Sequence, residues 1–247
     1  MALRLAAIVL GLLVVLPDAL AEELDWSPPL EVARVLAAER LELVDGRSIR
    51  LAGIRVPATV AGQAQALLAE LVANRALRLG TSPAPFDRYG DLVAQVERAD
   101  GLWLQGALLE RGLAQVRTRP DEVARAAAML GLEQAARAAG RGLWRQPGLA
   151  ARPADQLADA IGSFQIVQGR VLRVAPTEDY VYLNFGQDWR SDFTLRLRRA
   201  ELDASFARSP VDVLALAGRR VEVRGFVLNA GGPLIELSHP EQIQVLP

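Results

Sequence analysis

Five short strand-like runs of mainly apolar residues lie along the first half of the chain, at residues 32–36, 41–44, 48–54, 76–79 and 92–96. Short apolar runs bounded by turn residues are typical of strands. Asp45-Gly46 separates the second run from the third, and Asp-Gly between two such runs predicts a tight hairpin. The first half is therefore predicted to consist mainly of antiparallel strands.

Three segments of the same region have helical periodicity instead. Residues 60–74 place apolar side chains three or four positions apart. Residues 103–111 form a second predicted helix that Gly112 terminates, and Pro120 begins a third that extends to about residue 139. Strands with helices inserted and appended predict a small barrel with helices packed on it, so the predicted fold class is β-rich α+β.

The second half repeats the strand-rich pattern, with runs at residues 164–174, 180–185, 193–197, 221–228 and 234–237. A helical piece at about residues 199–216 lies between the third run and the fourth. Three strands, a helix and two strands is the order of an OB barrel. Residues 148–162 lack a sustained apolar period and predict a linker, so the predicted domains are residues 32–147 and 163–247.

The N-terminus has the pattern of a secretory signal peptide. Arg4 precedes an apolar run at residues 5–16, and Ala19-Leu20-Ala21 provides a small-x-small cleavage pattern. The run has about a dozen residues, fewer than the roughly 20 that a membrane-spanning helix requires. We expect residues 1–21 to be removed on export and the mature protein to be periplasmic or secreted, without a transmembrane segment.

Composition limits the chemistry that the chain can perform. It has no cysteine, which excludes disulfides, thiolate metal sites and a cysteine nucleophile. Its formal net charge is −1 at pH 7. Because nonspecific affinity for nucleic acid depends on the number of neutralised phosphates, the composition does not indicate a strong polyanion binder. A basic binding surface would have to come from the local arrangement of arginines.

Five motifs resemble, in order and spacing, those of staphylococcal-type thermonucleases. They are Ile49-Arg-Leu-Ala-Gly-Ile-Arg-Val-Pro57, Phe86-Asp-Arg-Tyr-Gly90, Asp100-Gly101, residues 108–114 and Gly140-Arg-Gly-Leu-Trp144. The resemblance covers about residues 32–147. It implies a five-stranded OB barrel with three helices, and in intact family members a calcium-dependent nuclease activity.

The resemblance also implies where the catalytic groups would lie. In the family, the first motif carries an Asp that binds calcium and a Glu that activates the attacking water, and here those places hold Arg55 and Ala58. The first phosphate-binding arginine is retained as Arg50, whereas the second is replaced by Asp91. Glu39 lies where the family has another metal-binding Asp, and its side chain is one methylene longer.

These substitutions predict the loss of the family's chemistry. A guanidinium cannot coordinate a cation, and alanine cannot accept a proton. Since each such group typically contributes about two to three orders of magnitude in rate, we expect a pseudoenzyme that binds without hydrolysis and needs no metal or other cofactor. Arg50 and Glu39 are the remaining candidate catalytic residues.

An active nuclease with a rebuilt site is the alternative, and it would hold calcium through Glu39, Asp45 or Asp91. Carboxylates clustered around Arg50 would favour this enzyme, whereas an Arg55 side chain in the metal pocket would favour the binding protein. We also expect Arg55 to form an ion pair with Asp91.

Two smaller expectations concern the same region. Arg50 is expected to face outward, either paired with Glu39 or free to bind phosphate. Asp87 is expected to cap backbone N–H groups of its turn, as Asp commonly does.

In the second half, strand alternation brings tyrosines and arginines to one face. On an OB barrel this face binds oligonucleotides or oligosaccharides, with rings stacked on bases and arginines on phosphates. The predicted partner is therefore single-stranded nucleic acid or another polymer, either glycan or protein. The candidate binding residues are Tyr180, Tyr182, Asn184, Trp189, Arg190, Arg196 and Arg198.

Two alternatives leave that face without a ligand: an ordinary exterior surface, or a scaffold in which it is buried between the domains. His239 is the only histidine of the chain, and we expect it to be neither catalytic nor a metal ligand.

Overall fold

The computed structural model describes residues 24–146, 149, 151–188 and 190–247. The predicted signal peptide and Trp189 lie outside these residues. Two hydrophobic clusters form separate cores, one from residues between 38 and 143 and the other from residues between 157 and 243. In the described part of the chain, no helix is long and apolar enough to cross a membrane.

The first core is enclosed by a five-stranded barrel. The strands of this half are β1 (Asp25–Trp26), β2 (Leu30–Ala37), β3 (Arg40–Leu43), β4 (Ser48–Leu51), β5 (Ile54–Arg55), β6 (Ala76–Thr81), β7 (Leu92–Arg98) and β8 (Gln115–Val116). The barrel consists of β2, β3, β4, β7 and β6. The strands β2, β3 and β4 form an antiparallel meander, β4 pairs in parallel with β7, and β6 joins β7 to β2. The short strands β5 and β8 form a separate two-stranded ribbon.

Three helices pack on this barrel: α1 (Ala61–Val72), α2 (Leu104–Glu110) and α3 (Ala126–Ala138). The third begins at Ala126 and not at Pro120, so the predicted start is wrong. Arg125 has a left-handed φ of 64°, which an α-helix does not accommodate. The preceding turn is held by Glu122, which accepts a hydrogen bond from the Gly53 backbone N–H.

Two of the five motifs, residues 108–114 and 140–144, contact each other through their glycines. Gly112 follows α2 and Gly142 follows α3, and both have a positive φ. The Leu143 N–H donates to the Gly112 carbonyl at 2.9 Å. A Cβ on Gly142 would collide with that same carbonyl. This close approach explains why glycine occupies both motifs.

The second barrel has the strand order and pairings of an OB fold, as predicted. Its elements are β9 (Arg152–Pro153), β10 (Phe164–Arg170), β11 (Arg173–Pro176), β12 (Tyr180–Asn184), β13 (Thr194–Arg198), α4 (Arg199–Ala204), β14 (Arg220–Phe226), β15 (Leu228–Asn229), β16 (Pro233–Leu237) and β17 (Ile243–Val245). The strand β10 pairs with β14, the meander of β11, β12 and β13 is antiparallel, and β13 lies parallel to β16.

In the second half, the structure differs from the predicted helix at residues 199–216 and from the predicted linker at residues 148–162. The helix α4 ends at Ala204 instead of continuing to residue 216, because Pro210 cannot continue a helix and only a short 3-10 turn, Val213–Ala215, follows it. The predicted linker contributes β9, which pairs with β10, and the side chain of Leu157, which is buried in the second core. The domain bounds themselves stay predictions.

Candidate functional site

Arg50 lies on β4 and is held by two buried carboxylates. Its Nε donates to Asp87 Oδ2 at 3.1 Å, and its Nη2 donates to Glu122 Oε1 at 2.6 Å. The Asp87 and Glu122 side chains are only 4% and 3% exposed. Burial alone would lower the pKa of Arg50, but the bonds to Glu122 and Asp87 raise it above its ordinary value. The charge of Arg50 is thus neutralised within the protein.

The expected pairing of Glu39 with Arg50 is wrong. Glu39 lies in the turn between β2 and β3, and its Oε2 accepts a hydrogen bond from the Val56 N–H at 2.8 Å. Burial raises the pKa of Glu39 above its ordinary value, although the Val56 N–H and three nearby arginines act in the opposite direction. Glu39 therefore accepts a hydrogen bond from the backbone that follows β5 and does not bind the guanidinium of Arg50.

The capping role of Asp87 is confirmed. Its Oδ1 accepts hydrogen bonds from the backbone N–H groups of Tyr89 and Asp91, at 2.9 and 3.2 Å. Burial alone would raise the pKa of Asp87, but these bonds and the contact with Arg50 lower it. One carboxylate thus orders the turn and fixes Arg50.

The expected ion pair between Arg55 and Asp91 is also wrong. Asp91 pairs with Arg40 of β3. Arg55 lies on β5, which pairs with β8, so its Nη1 donates to its cross-strand partner Gln115 at 2.6 Å. Its guanidinium also lies 5.0 Å from the ring centroid of Phe164 in the second barrel. Strand pairing therefore directs Arg55 away from Asp91.

These residues do not fit a calcium ion. Arg55 brings a positive charge where an acid is needed, and Ala58 is exposed at the start of a 3-10 turn. The carboxylates that lie around Arg50, Asp87 and Glu122, are hydrogen-bonded to Arg50 and to backbone N–H groups. No cluster of three or more His, Asp or Glu side chains in the described residues could hold a metal. Carboxylates do lie around Arg50, as the rebuilt nuclease predicts. They bind Arg50 and backbone N–H groups, however, and do not form a metal site.

The second barrel packs beside this site through aromatic rings. Phe164 lies under Arg55, and Phe226 lies 5.0 Å from the guanidinium of Arg117. The two rings contact each other edge to face, with centroids 5.8 Å apart. Arg55, at the position where the family resemblance implies a metal-binding acid, therefore lies at the interface between the barrels.

Buried ion pairs strengthen the same interface. Arg224 of β14 is 3% exposed, and its Nη1 lies 2.7 Å from Glu133 Oε2 of α3. The same nitrogen donates to the Val116 carbonyl at 3.2 Å. Arg137 of α3 pairs with Glu222 of β14 at 2.8 Å. Two arginine–glutamate pairs thus join α3 to the second barrel.

His239 completes the interface as a neutral residue. It is 2% exposed, and its Nε2 lies 2.8 Å from the Thr118 hydroxyl of the first barrel. Burial lowers the pKa of His239 from 6.5 to about 4, and the nearby charge of Glu122 only partly offsets this.

We therefore expect acidification to weaken the fold. Between pH 6.5 and 4 the unfolded chain binds a proton that folded His239 does not, so the free energy of unfolding should fall by about 3 kcal/mol across this range. Urea denaturation at several pH values measures this, and His239→Gln should remove that part of the pH dependence. An unchanged pH profile in His239→Gln would contradict the assignment.

A cavity of about 290 Å³ lies between the barrels. The first barrel contributes Arg117 and Arg119, and the second contributes Phe226, Glu236 and His239. Burial lowers the pKa of Arg117, and the positive charge of Arg119 lowers it further. The cavity therefore combines cationic and aromatic walls.

The second barrel carries another cavity of about 450 Å³ on the outer face of its meander. Tyr182, Asn184 and Arg196 line it, together with Arg173 of β11. Tyr180 lies beside Tyr182, with ring centroids 5.9 Å apart, and the Arg196 guanidinium lies 5.1 Å from the Tyr180 ring. The structure thus brings four of the candidate binding residues to one surface.

The other candidates are placed differently. Asn184 is 5% exposed, and its Oδ1 accepts a hydrogen bond from Thr194, so little of it reaches a ligand. Arg190 and Arg198 are exposed, and neither lines the cavity. The described residues that line this cavity all belong to the second barrel, which argues against the alternative of a face buried between the domains.

Several site residues were missed from the sequence. The sequence pattern places Glu122 in the third predicted helix, whereas Glu122 lies before that helix and anchors Arg50. Arg117 and Arg119 follow β8 two positions apart, a spacing that indicates side chains on the same face of an extended segment. Phe164 and Phe226 read as ordinary strand residues, because nothing local indicates which ring packs on the other barrel.

Part of the chain matches a known protein family. Residues 48–146 match the family described as staphylococcal nuclease homologue. Comparison with curated proteins found no matching relative. The match covers Arg50, Arg55 and the barrel strands β4, β6 and β7, whereas β2 and β3 precede it. The first barrel has the OB topology expected of that family. The chain therefore contains a staphylococcal nuclease homologue domain at residues 48–146.

Proposed function

We propose that this chain is an exported binding protein whose nuclease-type domain no longer hydrolyses phosphodiesters. The observation that carries the proposal is Arg50, whose guanidinium is bound on both sides by Glu122 and Asp87. A phosphate would have to displace buried carboxylates that hydrogen-bond a charged group, which is costly. The guanidinium of Arg55 at the metal position supports the same conclusion.

The ligand that we propose is single-stranded nucleic acid, bound on the outer face of the second barrel. Stacking on the Tyr180 and Tyr182 rings suits unpaired bases, and Arg173 suits a phosphate, whereas Arg196 is paired with Glu236 and lies against the Tyr180 ring. A neutral glycan would use the rings but not Arg173. Export, which the N-terminal segment predicts, would place this binding outside the cytoplasm.

Incubation of the purified protein with labelled single-stranded and duplex DNA, with and without calcium, tests the absence of hydrolysis. We expect intact DNA under every condition and retention of the single strand. Calcium-dependent cleavage that Arg50→Ala abolishes would overturn the proposal and establish the rebuilt nuclease instead.

Tyr182→Ala is expected to weaken binding of an oligothymidylate roughly tenfold, because loss of one stacked base typically costs about 1–3 kcal/mol. Fluorescence anisotropy measures the change. Tyr89→Ala is the matched control, since Tyr89 is 69% exposed on the first barrel and does not line the cavity of the second barrel.

Equal affinity of the wild-type protein and Tyr182→Ala would contradict binding through this face. Binding of a neutral oligosaccharide that is stronger than that of DNA would replace the ligand class.

A further inference from the structure

One row of side chains crosses the outer face of the second barrel. Ala175, Tyr182, Arg196 and Glu236 are successive cross-strand partners on β11, β12, β13 and β16. Arg196 and Glu236 form an ion pair. Arg196 lines the cavity on the outer face of the second barrel that carries Tyr180 and Tyr182, which we call the tyrosine face. Glu236 lines the cavity between the barrels. The two cavities thus adjoin on either side of this pair.

The cavity between the barrels has cationic charge to offer a ligand. Arg117 contacts the Phe226 ring, and within the described ranges it has no ion pair closer than 4.0 Å. Among the residues that the structure describes, Arg119 has one acid within 4.0 Å, Glu122 at 3.6 Å, and Glu122 is already bound by Arg50. The acid on the opposite wall, Glu236, is paired with Arg196. The local charge therefore favours an anion, although the whole chain is nearly neutral.

The same cavity has apolar surface beside these arginines. Phe226 is 44% exposed and Leu228 is 41% exposed, and both line the cavity. Charge next to an exposed ring is the combination that single-stranded nucleic acid requires, since phosphates contact the arginines while bases or sugars cover the ring.

We infer that a single strand bound on the tyrosine face continues over the Arg196–Glu236 pair into the cavity between the barrels, where Arg117 and Arg119 bind its phosphates. The inference rests on the binding function proposed above. It gives the nuclease-type domain a binding role that does not use Arg50 or the metal position. Adjacent strands lie about 4.8 Å apart, so the path from Tyr182 to the second cavity exceeds the reach of one nucleotide contact.

Oligonucleotide length separates the two sites. The second barrel alone should hold about four nucleotides, and a strand of about 12 should reach both cavities, within the range of OB folds. We expect the wild-type protein to bind oligothymidylate of the greater length more tightly in fluorescence anisotropy. Arg117→Gln should weaken binding of the longer strand about five- to tenfold and leave the shorter one unchanged, because only the longer strand loses a phosphate contact.

The salt dependence gives a second readout. Loss of one phosphate contact should reduce the slope of log affinity against log salt by about 0.7 for a single strand. Arg119→Gln should act in the same direction and covers the case in which Arg117→Gln does not fold, which thermal denaturation monitors. Arg34→Gln is the matched control, because Arg34 is 68% exposed on β2.

The experiment distinguishes failure of the continued binding path from failure of the proposed function. If Tyr182→Ala weakens both lengths while Arg117→Gln and Arg119→Gln weaken neither, the continuation is overturned and the proposed function stands. If neither length binds, the proposed function fails and the continuation with it. If the arginine variants lose affinity only for a sulfated glycan, the cavity binds a different polymer and the inference is overturned.

Discussion

Glu133→Ala is expected to lower the free energy of unfolding by about 3–5 kcal/mol, the usual cost of breaking a buried ion pair. Glu133 is 1% exposed, and its Oε2 lies 2.7 Å from Arg224 Nη1. Its Oε1 accepts a hydrogen bond from the Val116 N–H at 2.7 Å. The substitution would leave a buried guanidinium without its main partner and a buried N–H without an acceptor.

Urea denaturation followed by circular dichroism measures this effect. Gln134→Ala is the control, because Gln134 is the exposed neighbour on the same helix and should change stability by less than about 0.5 kcal/mol. Replacing both partners, as in Glu133→Leu with Arg224→Met, should recover part of the loss, because no guanidinium is then buried without its carboxylate and Glu222 keeps Arg137. The rest of the loss should remain, since the Val116 N–H still lacks its acceptor. A loss below about 1 kcal/mol in Glu133→Ala would show that the pair is not buried as described.

Arg50→Ala is expected to destabilise the protein by about 3 kcal/mol, because Asp87 and Glu122 would remain buried without their shared cation. In an active nuclease of this family, the same change would act mainly on the rate of cleavage. Here we expect a stability effect without a catalytic one, since Arg50 serves the fold.

Two measurements on the same variant distinguish these roles. The urea midpoint of Arg50→Ala should fall, while retention of single-stranded DNA at a temperature where the variant is folded should match the wild type. Arg34→Ala, at an exposed ion pair with Glu42, should change stability by less than about 1 kcal/mol. Unchanged stability in Arg50→Ala would contradict the network around Arg50.

The barrels were predictable because strand alternation and turn residues act locally. Val181 and Leu183 are fully buried on β12 while Tyr182 faces outward, as period-two alternation requires. Asp45-Gly46 forms the predicted turn between β3 and β4, and Gly46 has a φ of 86°. The grouping of tyrosines and arginines on one face of the second barrel followed from the same rule.

The contacts of the first site were not predictable in this way. Arg50 and Glu122 are 72 positions apart, and which acid binds which arginine depends on how the turn before α3 crosses the barrel. The partner of Arg55 was misassigned because β5 leaves the barrel to pair with β8. Periodicity reports which face a side chain occupies, but it does not report which distant segment covers that face.

The contact between Arg55 and Phe164 has a consequence for attempts to restore catalysis. An aspartate engineered back at position 55 would face an aromatic ring contributed by the appended barrel, with Arg117 close by. A single Arg55→Asp substitution is therefore not expected to create a metal centre, because the carboxylate would lie against Phe164 of the second barrel. The packing of the two barrels, held in part by Arg224 and Glu133, would have to change as well.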